Sequence, residues 1–226
     1  MSETDAEARR NQEQAVRATD GRVPKRRGLA TRQRLLDATR TELGKRAYRF
    51  LTVADIAREA ETSPSTFYQY FPRIDLAIFE LAQEVIRDKS RLTVIVQDAS
   101  WTGADSRAAA RRLAEEFLSF WEEHRAVLKA VDILMGEGDD RFYEARVSVL
   151  SELSSAFEAQ VEEGGVDLAP PGDAKAVGAV LVSMLAHVAA FEPGLTSRGY
   201  SREALESVMA DIIASMMQGG TNAHTT

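Results

Sequence analysis

Cysteine is absent from this chain, which excludes disulfide frameworks, thiol nucleophiles and thiolate metal sites. Histidine is scarce: His124, His187 and His224 are the only three, and no two stand at the spacing of a helical metal pair. No glycine-rich phosphate loop occurs. The run Gly136, Glu137, Gly138, Asp139, Asp140 is too short for one and reads as a link between helices, its carboxylates solvated rather than metal-bound. The constellations on which enzymes depend are therefore missing, and no catalytic residue, metal or cofactor is expected. Nowhere do eighteen apolar residues run together, and Ser2 to Arg34 is charged without an apolar core, so the expectation is a soluble, cytoplasmic protein with no membrane partner.

Proline and glycine are few, 6 and 14 in 226 residues, and lie mostly between apolar-periodic stretches. The uninterrupted segments are rich in Ala, Leu, Glu and Arg, which favours an all-α fold. Net charge is -7, yet residues 21–50 hold ten basic side chains (Arg22, Lys25, Arg26, Arg27, Arg32, Arg34, Arg40, Lys45, Arg46, Arg49) against only Asp37 and Glu42. A basic segment on an acidic remainder suits a protein that touches a polyanion with one end; a solvated basic helix face would look the same.

Residues 1–24 offer little to bury and are expected to form a mobile tail. A helical pattern starts at Thr31, with Leu36, Thr39, Leu43 and Ala47 on one face, and fades between Gly44 and Arg49. Thr52 with Asp55 makes a capping box ahead of Val53, Ile56, Ala57 and Ala60. Ser63 and Pro64 open a short helix that carries Phe67 and Phe71 and stops at Pro72. A fourth helix is expected from about Asp75, through Leu76, Phe79, Ala82 and Ile86, toward Val94. In the body, one helix holds Leu113, Phe117, Phe120 and Trp121 and ends at His124 and Arg125. A second holds Val127 to Met135 and stops at Gly136. A third holds Phe142, Val149, Leu153 and Phe157. Pro170, Pro171 and Gly172 form a loop before a helix capped by Asp173 and apolar from Val177 to Phe191. The last helix follows Ser201, carries Leu205, Val208, Met209, Ile212, Ile213, Met216 and Met217, and ends at Gly219 and Gly220. Two apolar helices at the end of the chain hold more apolar surface than one protomer needs, which predicts a homodimer through them.

Two short helices joined by a tight turn, the second rich in small hydroxyl and aromatic residues, is the geometry that sets a recognition helix in a major groove. The outward side must be small or polar so that the backbone can approach base edges, and the inward side must anchor. Ser65, Thr66, Gln69 and Tyr70 meet the first need, and Phe67 and Phe71 meet the second. Gln69 can bond adenine N6 and N7, and the Thr66 methyl can meet a thymine methyl.

The stretch from Thr31 to about Leu81, with its core LTVADIAREAETSPSTFYQYFPRIDL and its VADIA and TFYQYF elements, resembles the tetracycline-repressor (TetR) family of regulators. The body resembles that family only in length and helical character. The resemblance implies an N-terminal three-helix helix-turn-helix head, residues 25–74, on a larger ligand-binding and dimerisation body, residues 75–218, with a tail at 219–226. It implies that Ser65, Thr66, Gln69 and Tyr70 face DNA beside Ser63, with Thr52 and Tyr68 on phosphate. It also implies an effector pocket in the body, for which Trp101, Phe117, Phe120, Trp121, Met135, Phe142, Leu153 and Met184 are candidates; each also suits ordinary core.

Two departures stand out. Glu61 occupies the turn where the family usually has glycine, at a cost of roughly 1 kcal/mol if the residue is left-handed. Ile74 replaces the lysine that commonly opens the fourth helix, and Arg73 is the nearest substitute for its phosphate contact. Lys25, Arg26 and Arg27 form either a DNA-contacting arm or a solvated charge run. The expected protein is a regulator that represses from a palindromic double-stranded DNA operator until a small apolar or amphipathic effector releases it. A helical protein-interaction module is the alternative.

Overall fold

The computed structural model describes residues 26–101, 103–164, 166 and 173–218. Lys25, the terminal segments 1–24 and 219–226, His224 and the Pro170 to Gly172 loop lie outside the described residues, as do the side chains of Arg26 and Arg27. Among the described residues there are nine α-helices and no strand, so the all-α expectation holds. They are α1 (Arg26–Lys45), α2 (Val53–Glu59), α3 (Pro64–Tyr70), α4 (Ile74–Asp88), α5 (Ser90–Asp98), α6 (Gly103–Gly136), α7 (Asp140–Glu163), α8 (Ala174–Thr196) and α9 (Arg202–Met217). A 3-10 turn, Tyr48–Phe50, links α1 to α2.

The chain forms two compact units. The first runs to Glu84 and includes Ala126–Tyr143; the second comprises Val85–Arg125 and the chain from Glu144 onward. The first unit contains the head expected at 25–74 and, beyond that expectation, residues 75–84 and Ala126–Tyr143, which the sequence reading assigns to the body. The whole unit is termed the head. Leu35, Leu36, Ala38 and Leu43 from α1, Ile56 and Ala57 from α2, Phe67 from α3 and Ala77, Ile78 and Leu81 from α4 make its core. Arg32 pairs with Glu80 and Arg40 with Glu84, so basic residues of α1 tie it to α4.

Three boundaries differ from the sequence reading. First, α1 begins at Arg26 rather than Thr31, because Gly28 in its first turn does not break it. Second, the helix expected from Asp75 to Val94 is broken at Lys89, and Ser90–Asp98 is a separate helix. Lys89 is buried, donates to the Ser148 carbonyl and pairs with Glu152, and this tertiary capture of an ordinary helix former is invisible in local propensity. Third, α6 is one helix of 34 residues, not two meeting at His124 and Arg125. The polar run Glu122 to Arg125 is one turn of a continuous helix, Glu122 and Glu123 exposed and His124 and Arg125 turned inward onto Asp88 and Glu192, with no glycine or proline to end it. Ala47, expected on the buried face of α1, is exposed beyond its end.

The second unit buries aromatic residues along α6. Phe117 and Trp121 stack at 5.6 Å, Phe120 meets the His124 ring at 4.7 Å, and Trp101 packs on Phe157 while its indole N–H donates to the Val96 carbonyl. Helix α8, capped by Asp173, is long and apolar enough on its own to cross a membrane, but Val177, Leu181, Val182, Leu185 and Ala189 are buried within the unit and α8 packs on α9. The contact between α7 and α8 is close. A Cβ at Gly178 would stand 2.4 Å from the Ser154 carbonyl oxygen, nearer than van der Waals contact allows. Gly178→Ala is therefore expected to lower unfolding free energy by about 1–3 kcal/mol; urea denaturation followed by circular dichroism measures it, and an unchanged midpoint would show that the helices part freely.

Candidate nucleic-acid interface

Helix α3 has only seven residues, too few to hold a helix alone in water, so its caps and its anchors fix it. Ser63 is the N-cap, its Oγ accepting from the Thr66 N–H at 3.2 Å, and Pro64 fills the first helical position. Phe67 is wholly buried and Phe71 nearly so, their rings 5.6 Å apart. The Arg32 guanidinium lies 5.1 Å above the Phe71 ring. The opposite side carries exposed Ser65, Tyr68 and Gln69, with Thr66 and Tyr70 half-buried. The hydroxyls of Ser65 and Thr66 lie 2.8 and 2.9 Å from Ser63 Oγ, so the small groups of this face form a connected row.

Thr52 is the N-cap of α2, but the return bond runs through its hydroxyl rather than through its backbone N–H as in a capping box. Its Oγ1 donates to Asp55 Oδ2 at 2.6 Å and accepts from the Asp55 N–H. Asp55 also bonds Arg58 and pairs with Arg46; the Thr52 hydroxyl, foremost, and Arg58 hold its carboxyl below the usual range.

The turn between α2 and α3 is a Schellman cap. The Thr62 N–H reaches the Ala57 carbonyl, the Glu61 N–H reaches that of Arg58, and Glu61 between them has φ +51°. The left-handed residue suspected from the sequence is thus left-handed. The same cap closes α6 at Gly138 and α8 at Gly199, both at positive φ. In these two repeats the motif uses glycine, and among the described residues Glu61 alone holds a side chain at positive φ. Glu61→Gly is expected to raise unfolding free energy by about 0.5 kcal/mol, the strain relieved less the extra chain entropy of glycine, while Glu61→Val lowers it. Thermal melts of the two variants test the pair.

Among the described residues of the basic segment, Arg32, Arg40, Lys45, Arg46 and Arg49 are paired with carboxylates of the same unit. Lys45 bonds Glu42 and Glu59, Arg46 pairs with Glu42 and Asp55, and Arg49 stands 3.6 Å from Glu137, in addition to the Arg32 and Arg40 ties. Much of the local positive charge that pointed to a polyanion is therefore balanced inside the head.

Arg73 is engaged as well. Its Nε and Nη2 donate to the two oxygens of Asp75 at 2.9 and 2.6 Å, and Asp75 also accepts from Arg141 at 2.9 Å. Burial works against the Asp75 carboxylate, but these two guanidinium groups outweigh it and hold its pKa below the ordinary value. A depressed carboxylate stabilises the fold above its unfolded pKa, and that contribution is lost as pH falls through the folded one. Tyr48, Arg49, Tyr68, Pro72, Arg73, Ile74 and Asp75 line an open depression of about 570 Å³ beside α3.

The effector candidates divide. Trp101, Phe117, Phe120, Trp121 and Leu153 are buried in the second unit and Met184 is half-buried there; Met135 and Phe142 belong to the head, Phe142 edge-on to Phe79 at 5.8 Å. An open groove of about 730 Å³ in the second unit is lined instead by Ser90, Thr93, Gln97, Ser151, Ser155, Gln160 and their neighbours on α5 and α7, and by none of the eight candidates. No sequence pattern announces it, because its small residues look like ordinary helix surface. Asp88, Glu123 and His124 bring three potential ligand atoms within 4.8 Å, but Arg91 already bonds Glu123 there.

Comparison with known proteins bears on both halves of the sequence. Residues 35–75 match the family described as bacterial regulatory proteins, tetR family, and residues 92–223 match one described as tetracyclin repressor-like, C-terminal domain. The body thus carries a family signal of its own, beyond the length and helicity noted in its sequence. In fold the chain is similar to a tetR-family transcriptional regulator from Streptomyces coelicolor, at 20% identity and TM-score 0.64, covering 83% of this chain and 80% of that one. It is similar to a TetR-like regulator from Rhodococcus sp. RHA1, at 21% identity and TM-score 0.58, covering 87% and 96%. It is also similar to the regulator FadR from Bacillus subtilis, solved with stearoyl-CoA, at 12% identity and TM-score 0.62, covering 81% and 97%. Among curated proteins none matches the chain.

Proposed function

We propose, from the premise that the chain belongs to the tetR family of bacterial transcriptional regulators, that it is a homodimeric repressor which an effector releases from a palindromic operator. DNA binding through the head is the family's common ground. The observation that carries the finer reading is the division of α3, with Phe67 and Phe71 locked inward and Ser65, Thr66, Tyr68 and Gln69 outward on a backbone that small side chains leave approachable. Gln69 and Thr66 read base edges, Tyr70 and Ser65 flank them, and Thr52, Ser63, Tyr68 and Arg73 meet phosphate. Lys25, Arg26 and Arg27 extend the contact as an arm. Selection of bound duplexes from a random pool by the purified protein is expected to return a palindrome with half-sites one helical turn apart, about 34–36 Å between centres. Recovery of no common sequence would defeat the operator reading, and a Gln69→Ala variant is expected to relax one base position in each half-site.

The second protomer binds at α8 and α9. Val180, Phe191, Val208 and Ile212 are large apolar residues left exposed on these two helices, beside exposed His187, whose ring lies 4.6 Å from that of Phe191. Charge placed there meets its own copy across a two-fold axis, so Val208→Asp combined with Ile212→Asp is expected to give a monomer by analytical ultracentrifugation and to weaken operator binding. A variant that stays dimeric removes this face from the interface.

The effector is small and apolar or amphipathic and enters among the aromatic residues of the second unit, opening packing that is closed in this state. It releases DNA only so far as it binds one arrangement of the dimer more tightly than the other. Both tryptophans of the chain, Trp101 and Trp121, lie in that unit, so a ligand that releases DNA is expected to alter their fluorescence over the same concentration range. Release without any change in the indole signal would move the effector elsewhere.

A further inference from the structure

We infer that Asp75 is a positioning residue that holds Arg73 ready for a DNA phosphate, an assignment that rests on the DNA-binding reading above. Four charged side chains of the head form an alternating chain: Asp139, Arg141, Asp75 and Arg73. Arg141 forks onto Asp139 at 3.0 and 2.6 Å, reaches Asp75 at 2.9 Å, and lies 5.7 Å over the rings of Phe79 and Phe142. Asp75 is thereby fixed from its inner side and cannot swing out to follow Arg73.

Arg73 is the solvent end of this chain, its side chain 67% exposed against 12% for Asp75. The fork uses Nε and Nη2, which leaves the Nη1 amine outside it. That guanidinium borders the same solvent-open depression as Arg49, the phenols of Tyr48 and Tyr68 and the carboxylate of Glu137, which stands 3.6 Å from Arg49 and partly offsets its charge. A phosphate oxygen there finds donors of the kind that position a protein on a duplex without reading sequence. An unsupported arginine loses much rotamer freedom when it grips a phosphate; one already forked onto a fixed carboxylate has lost it beforehand. The carboxylate's own charge opposes DNA, and Arg141 offsets it. The arrangement supplies at Arg73 what Ile74, directly after it, cannot.

Phosphate contacts carry no sequence information, so the test needs no operator: fluorescence anisotropy with a labelled random-sequence duplex of about three helical turns, titrated with salt. Arg73→Ala is expected to lower affinity and to reduce the slope of log affinity against log salt by about one. Asp75→Asn, although it removes a negative charge, is expected to lower affinity about five-fold, the scale of one side chain's ordering. Arg73→Lys keeps the charge but cannot fork, sits on the surface where folding is not at stake, and is expected to lose affinity as Asp75→Asn does with the salt slope retained. In an Arg73→Ala background, Asp75→Asn is expected to cost nothing further. Tighter or unchanged binding by Asp75→Asn, unchanged binding by Arg73→Lys, or an equal Asp75→Asn loss without Arg73 overturns the assignment. Duplex binding by the unaltered chain with an indifferent Arg73→Ala overturns the assignment alone, whereas no duplex binding by the unaltered chain overturns the DNA-binding reading with it.

Discussion

The anchoring of two phenyl rings decides what this chain can do. A helix of seven residues has no stability of its own, and α3 persists because Phe67 and Phe71 are buried against the head, with Arg32 lying over Phe71 and tied in turn to Glu80. Everything on the outward side of α3 is presented at a fixed angle because the inward side cannot turn. The serine cap before the helix and the Schellman cap behind α2 set the direction from which the chain enters, and the strained Glu61 is tolerated because the surrounding bonds overdetermine the turn.

Each of the two units is tied by the same residue type. In the head, arginine ties helices together: Arg32 and Arg40 hold α1 to α4, and Arg141 holds Asp75. In the second unit arginine also ties helices, Arg125 of α6 donating to the Ala189 carbonyl and pairing with Glu192 of α8, Arg107 of α6 pairing with Asp211 of α9 and Arg202 of α9 with Glu122 of α6, around an aromatic interior.

What could be read in the sequence was what short range determines. Thr52 with Asp55, Ser63 with Pro64, and Phe67 with Phe71 are patterns of two to four residues, so α2, α3 and the turn between them were legible, down to the left-handed residue. The misreadings came where distant partners decide. Lys89, where α4 gives way to α5, is held by residues some sixty positions away, and the polar run Glu122 to Arg125 looked like a terminus because the inward partners of His124 and Arg125 are distant in sequence. The basic run was legible as charge but not as charge already paired, since Glu80 and Glu84 lie about forty residues from Arg32 and Arg40. The groove on α5 and α7 left no trace because serine, glutamine and alanine on a helix signify only ordinary surface until the neighbouring helix is known.

The self-pairing of the head's cations has a bearing on how such a protein would find its target. Non-specific residence on DNA grows with the number of phosphates a surface can neutralise, and cations committed to neighbouring carboxylates displace few counterions. On the proposed reading, a head with its described cations paired in this way is expected to leave random sequence quickly. Discrimination would then rest on the few groups of α3 proposed to meet bases, with dwell time separating a correct site from the bulk of the chromosome.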